Sequence, residues 1–300
     1  MEYLSKIELI NKKIEFYDSW IDIPKVEKYK EAIGLFLFYE KDLDQMNKDT
    51  LILFLKANLK FNTKTIIYIF TNLDLNLNGF ALERVKVTFI PFQDNQIMTN
   101  RVVFNFIVTK KFSSFDRLFL FDSDLIPLGS YEDKVEFNFD IGLTYNARRK
   151  EIKKYLINAG FSIINYENLK NINQFNLDYL KAYEKIILQE DKLMNKFKFE
   201  KPLSEWFGDQ ILYYYICKHV PEENYKIYDF QDTHYKIRYH NDYLYNYGAY
   251  ELKEQLIKPD KKFKISNFLE ECKSFPVYFI HLKDNRRLFA KEIMSYLKLN

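Results

Sequence analysis

Three hundred residues that are 47% hydrophobic and 29% charged, with a net charge of +3, exclude a disordered chain, which needs low hydrophobicity and high net charge. The 24 tyrosines and 28 phenylalanines supply ample apolar surface for a packed interior. The 45 bases and 42 acids are interleaved along the chain as on an ordinary solvated surface, so no nucleic-acid partner is expected.

In chain order, Leu4, Ile7, Ile10 and Ile14 recur at helical spacing and predict a helix over Met1–Tyr17. The apolar run Ala32–Tyr39, ended by charge, reads as a buried strand. A helix over Asp49–Leu59 and a second buried strand at Thr65–Phe70 follow, then a polar loop at Asn72–Gly79. Val85–Phe92 is predicted as a strand, Gln96–Phe112 as a helix and Arg117–Phe121 as a short apolar strand. Further strands are expected at Phe137–Thr144, Phe161–Asn165 and Pro276–Ile280, with helices at Leu177–Met194, Asp209–His219 and Arg287–Leu297. This alternation argues for an α/β fold with a mostly parallel central sheet flanked by helices. Ligands of such sheets bind outside the carboxyl ends of the strands.

Several chemistries are excluded. Glycines 34, 79, 129, 142, 160, 208 and 248 lie far apart, so neither a dinucleotide fingerprint nor a P-loop exists. Cys217 and Cys272 have no zinc-ligand spacing and build no disulfide framework. The apolar runs fall well short of the ~20 residues of a membrane span. Met1–Lys13 mixes acids and bases unlike a secretory leader, so a cytoplasmic location is expected.

The strand Arg117–Phe121 ends in Asp122-Ser123-Asp124. Side chains two apart in extended backbone point the same way, so the two carboxylates face the ligand rim together. Two anions this close repel unless a cation lies between them, and such oxygen-rich sites suit Mg²⁺ or Mn²⁺. A metal there would hold a diphosphate and neutralise a departing phosphate oxygen. The spacing alone also fits a solvated turn, where Asp and Ser are common. His219, His234 and His240 read as structural, whereas His281 closes an apolar run at a strand end.

Arg117–Gly129 resembles the metal strand of GT-A glycosyltransferases, and most of all that of the glycogenin and bacterial lipooligosaccharide galactosyltransferase family. Four other segments fall in that family's order: Met98–Arg101, Asn158-Ala159-Gly160, Gly208–Leu212 and Val277–His281. The resemblance spans roughly residues 32–285 as a GT-A catalytic domain, after a helical segment at 1–31 and before a C-terminal helix at 286–300. It implies transfer of a sugar, with retention, from a nucleotide-diphosphate sugar (a UDP-sugar foremost) to a hydroxyl of a glycan or lipid-linked acceptor, in bacterial surface glycan synthesis. Asp122, Asp124 and His281 would hold Mn²⁺ (or Mg²⁺). Arg101, Ser123, Asn158, Ala159, Gly160 and Lys283 would position the donor, and Phe38, Tyr39 and Glu40 would face its base. Asp209 and Gln210 would lie beside the reacting sugar, and if inversion occurred Asp209 would be a candidate general base.

The family's final segment continues past its His to a Gly and a Lys-Pro-Trp, whereas His281 is followed by Leu282, Lys283, Asp284, Asn285, Arg286 and Arg287. Lys283 or the arginine pair would then meet phosphate oxygens, or simply begin a basic helix. The loss of that segment also leaves room for a non-catalytic nucleotide-sugar-binding protein of the same fold. A sugar-1-phosphate nucleotidyltransferase would need a Gly-rich loop after the first strand, and Leu35–Lys48 has no glycine. Without the resemblance, Asp209 reads as a helix N-terminal residue. The acceptor loops would be Lys196–Trp206 and Tyr225–Tyr250. Leu288, Phe289, Ile293 and Leu297 give the last helix an apolar side that either packs on the core or rests peripherally on the inner face of a membrane.

Overall fold

A computed structural model describes residues 2–24, 26–39, 41–80, 83–91, 94–132, 135–145, 157–206, 208–219, 224–229, 265–273, 279–282 and 284–299. Helix α1 (Glu2–Trp20) leads into β1 (Glu31–Leu37), α2 (Gln45–Phe61), β2 (Thr65–Thr71), β3 (Val85–Phe89), α3 (Ile97–Lys111) and β4 (Arg117–Phe121). Then come β5 (Leu125–Pro127), β6 (Ile141–Tyr145), β7 (Ile157–Asn165), α4 (Ile172–Leu188), α5 (Glu190–Phe197), α6 (Gly208–His219) and β8 (Ile227–Asp229). Helix α7 (Ile265–Lys273), β9 (Phe279–His281), a 3₁₀ turn at Asp284–Phe289 and α8 (Ala290–Tyr296) complete the described elements.

A seven-stranded sheet runs in the order β3-β2-β1-β4-β7-β6-β8, and a separate ribbon pairs β5 with β9. Strands β3, β2, β1 and β4 are mutually parallel, β6 and β8 pair in parallel, and β7 runs antiparallel to both its neighbours. The sheet is thus mostly parallel, and the amino end of β7 lies at the same rim as the carboxyl ends of β1 and β4.

Strict alternation builds the two faces. Ile66, Tyr68 and Phe70 of β2 and Leu118 and Leu120 of β4 join a core with α1, α3, α4 and α6. Ile67 and Ile69 of β2 and Phe119 and Phe121 of β4 face the other way, into a core with α2, α7 and α8. Helix α1 is docked by Lys13, which is buried and bonds the Asn100 Oδ1 of α3 at 2.7 Å. The carboxylate of Asp94 receives the same ammonium at 2.5 Å.

Some predicted boundaries move. The single helix expected at Leu177–Met194 begins at Ile172 and breaks at Gln189 into α4 and α5, and at the junction Glu190 accepts the backbone N–H of Leu203 at 2.7 Å. The strand expected at Phe161–Asn165 begins at Ile157. The last helix opens as a 3₁₀ turn; Ile293 is fully buried, Phe289 and Leu297 pack on the core, and Leu288 is exposed. Strand β5, strand β8 and helix α7 were not legible in the sequence, the two strands being three residues each and too short to show a period. No helix among the described residues is long and apolar enough to cross a membrane.

Candidate functional site

Strand β4 is buried from Leu118 to Phe121 and delivers Asp122 to the rim of the sheet. The Asp122 backbone N–H donates to the Gly160 carbonyl of β7 at 2.9 Å, which sets the Asn158-Ala159-Gly160 backbone beside the acidic triplet. A tight turn follows, with the Leu125 N–H donating to the Asp122 carbonyl at 3.1 Å, and the chain enters β5. Strand β9 pairs antiparallel with β5 so that His281 lies opposite Leu125, and the Leu282 N–H donates to the Asp124 carbonyl at 2.8 Å. The ribbon therefore brings a residue from near the end of the chain against one from its middle.

The result is a cluster in which one ligand atom from each of Asp122, Asp124 and His281 lies within 4.8 Å of the others. Asp124 and His281 are buried, and Asp122 is half-exposed. His281 Nε2 is 3.0 Å from Asp124 Oδ1, and that buried oxygen accepts no aligned hydrogen bond. A carboxylate oxygen and an imidazole nitrogen facing each other in this way fit a shared cation. The mixed oxygen and nitrogen donor set is one that suits a divalent cation.

Around the cluster lie two arginines. Arg101, in α3, reaches Asp122 Oδ1 at 2.7 Å and Asp209 Oδ2 at 3.5 Å. Arg287, in the 3₁₀ turn, donates to Asp124 Oδ2 at 2.7 Å and to Asn47 Oδ1 at 2.8 Å. Burial works against the ionised Asp124, but His281 and then Arg287 outweigh it and hold its carboxyl well below the usual range. Asp209 is the opposite case: burial pushes its carboxyl up, with Arg101 only partly opposing. Burial also disfavours the charged Arg101, yet Asp122 and Asp209 more than restore it and hold the guanidinium protonated.

Helix α3 owes its placement to a loop rather than to its own cap. Gln96 makes no side-chain cap, and the N–H groups of Met98 and Thr99 donate instead to the Ser204 carbonyl at 3.0 and 3.1 Å. The same loop packs on the start of α6, so Arg101 and Asp209 are registered against each other by one segment. Below Asp209, the Tyr213 hydroxyl meets Ser162 Oγ of β7 at 3.2 Å, and burial pushes that hydroxyl up to about 12.

The sequence matches no protein-family model and no curated protein. Among solved structures, the chain is similar to the apo form of the glycosyltransferase GlyE from Streptococcus pneumoniae TIGR4, at 16% identity and a TM-score of 0.49, over 90% of this chain and 62% of that one. A second GlyE structure matches at 15% identity and a TM-score of 0.48, over 90% of this chain and 60% of that one. This chain spans about three fifths of the length of those structures. The likeness is one of overall fold.

The other expected site residues divide by position. Tyr39 lies within electrostatic reach of the cluster: burial pushes its hydroxyl up, Arg287 opposes this, and Asp124 and Asp122 reinforce it. Phe38 is turned toward the core, stacked on Phe36 with centroids 4.2 Å apart. Ser123 is half-buried in the turn between the two aspartates, and Gln210 is half-buried at the start of α6. Asn158 and Ala159 are placed by their backbone in β7, while Glu40 and Lys283 lie outside the described residues. Most of the Tyr225–Tyr250 segment lies outside them too, as do His234 and His240. Asn47, on the first turn of α2, was not anticipated, and no sequence signal marks it. Of the basic residues after His281, the one that meets the cluster among the described residues is Arg287.

Proposed function

We propose that this chain is a metal-dependent glycosyltransferase that moves a sugar from a nucleotide-diphosphate donor to an acceptor hydroxyl. The observation that carries the reading is the convergence of Asp122, Asp124 and His281 at the ligand rim of an α/β sheet, beside the Arg101–Asp209 pair. The order of the five sequence segments supports it as well, and by the same resemblance the donor is a UDP-sugar and the anomeric configuration is retained.

Asp122, Asp124 and His281 would hold the divalent ion, which when bound supplies charge neutralisation for a diphosphate leaving group. Arg101, locked between two carboxylates, fixes the orientation of Asp122 and offers fixed positive charge at the rim. Asp209 and Gln210 head α6, where a buried carboxylate and an amide would face the reacting sugar. Tyr39 and the end of β1 would meet the base. The acceptor would be a glycan or a lipid-linked glycan of a bacterial surface, approached in the cytoplasm or peripherally at the membrane's inner face.

The test is Asp124→Asn, assayed by calorimetric Mn²⁺ titration and by mass spectrometry of donor hydrolysis over a panel of nucleotide-diphosphate sugars. The wild type should bind Mn²⁺ and hydrolyse one donor slowly, and the variant should lose both while melting as a folded protein. Hydrolysis or transfer undiminished by the substitution would overturn the assignment.

A further inference from the structure

Cationic side chains already stand against the carboxylates of this cluster. Asp124 is gripped on both oxygens, His281 standing 3.0 Å from Oδ1 and Arg287 donating to Oδ2 at 2.7 Å. Asp122 is met by Arg101 at 2.7 Å. Asp122, Asp124 and Asp209 therefore already face two guanidinium groups, and a divalent ion brings two further positive charges into a largely buried space. An ion that takes Asp124 through Oδ2 or Asp122 through Oδ1 competes with the arginine that holds that oxygen.

The geometry separates the two. Arg101 has a second carboxylate, the deeply buried Asp209, so its departure would strand a charge away from water. Arg287 has its second arm on the neutral amide of Asn47, and it is the more exposed of the two side chains, 28% against 16%. It also stands on the 3₁₀ turn that directly follows the His281 ribbon rather than inside a long helix.

We propose that Arg287 is the resident counter-cation of this site: it occupies Asp124 while no metal is bound and releases it when a divalent ion enters, Asn47 holding it in the occupying position. This rests on the metal-site reading above. Two consequences follow from the charge alone. The paired aspartates remain compatible with a folded rim before metal arrives, and metal affinity is held below what the ligand set would otherwise give, so that the ion exchanges readily.

The experiment is Mn²⁺ binding to the metal-free full chain, read from the free-ion electron paramagnetic resonance signal, for wild type, Arg287→Gln, Arg287→Lys, Asn47→Ala and Asp124→Asn. Removing a charge-assisted contact to Asp124 should tighten Mn²⁺ binding by about tenfold in Arg287→Gln. Arg287→Lys, which keeps the charge, should stay near wild type. Asn47→Ala leaves the arginine in place but loosens its hold, and should tighten binding by about threefold. Should Arg287→Gln fail to fold, Asn47→Ala carries the test alone. Binding in Arg287→Gln or Asn47→Ala that equals or falls below wild type, while Asp124→Asn still abolishes it, overturns the counter-cation role and spares the metal site. A wild type that takes up no Mn²⁺, with Asp124→Asn indistinguishable from it, overturns both.

Discussion

Gly208 opens α6 one residue before Asp209, and a methyl group there has nowhere to go. A Cβ built on its backbone would sit 2.3 Å from the Leu203 carbonyl oxygen, 3.3 Å from the carbon that bears it and 3.6 Å from Met98 Cβ. Ordinary contact begins near 3.4 Å, so loop and helix would have to part by about 1 Å. The loop cannot move cheaply. Its Leu203 N–H is held by Glu190 at 2.7 Å, and the Ser204 carbonyl receives the Met98 and Thr99 N–H groups at 3.0 and 3.1 Å. Leu203 itself is fully buried. Gly208→Ala should therefore cost about 1–3 kcal/mol, the range of an overpacked core, and lower the melting temperature by about 2–6 °C. The displaced start of α6 carries Asp209 away from Arg101, and a misplacement of about 1 Å at a reacting centre can cost up to about a hundredfold in turnover. Mn²⁺ affinity should stay unchanged, since Asp122, Asp124 and His281 are held by β4 and the β5–β9 ribbon. Differential scanning calorimetry, donor hydrolysis by mass spectrometry and Mn²⁺ titration on the same preparation separate these effects. Wild-type melting together with wild-type turnover would refute the reasoning.

Two further outcomes are expected. Arg101→Met leaves the buried Asp209 without its guanidinium and should destabilise the fold by about 3 kcal/mol in urea melts near neutral pH; because a proton on Asp209 relieves that burden, the loss should shrink as pH falls, and a pH-independent loss would contradict the ion-pair account. Glu31 is buried at the opposite end of the sheet, where burial raises its carboxyl above 4.5 against the opposition of Arg117, so the native state takes up this proton before the unfolded chain does; the stability of wild type relative to Glu31→Gln should rise as pH falls through the raised value toward 4.5, and a flat or falling difference would show that the carboxyl is not perturbed.

The sequence carried the frame of the molecule because its strongest signals are local. Leu118–Phe121 and Ile66–Phe70 are unbroken apolar runs of strand length, and the strands that carry them end within a residue of the expected bounds. Asp122 and Asp124 were legible because they directly follow one apolar strand, although it is the tight turn after β4, not extended backbone, that places Asp124. What escaped is long-range. Nothing in Leu125-Ile126-Pro127 announces that Phe279–His281 will pair with it, so His281 could be attached to the aspartates only through the family resemblance. The antiparallel course of β7 is likewise a property of its neighbours. Asn47 and Arg287 meet because α2 and the last 3₁₀ turn close on one another, a contact between residues that share no pattern.

The ribbon of β5 and β9 has a bearing on synthesis and assembly. When the ribosome has made β1 through β8, the nascent protein can possess its whole central sheet and both aspartates but not the imidazole. The residues that follow His281 dock against α2, where Lys56 donates to the Leu299 carbonyl and Lys60 to those of Leu297 and Lys298. Such late, sequence-distant closure is slow relative to local folding. On the metal-site reading proposed above, ion uptake would follow closure of this ribbon: a molecule short of that step can hold most of its helix and sheet content and still lack the imidazole beside its two aspartates.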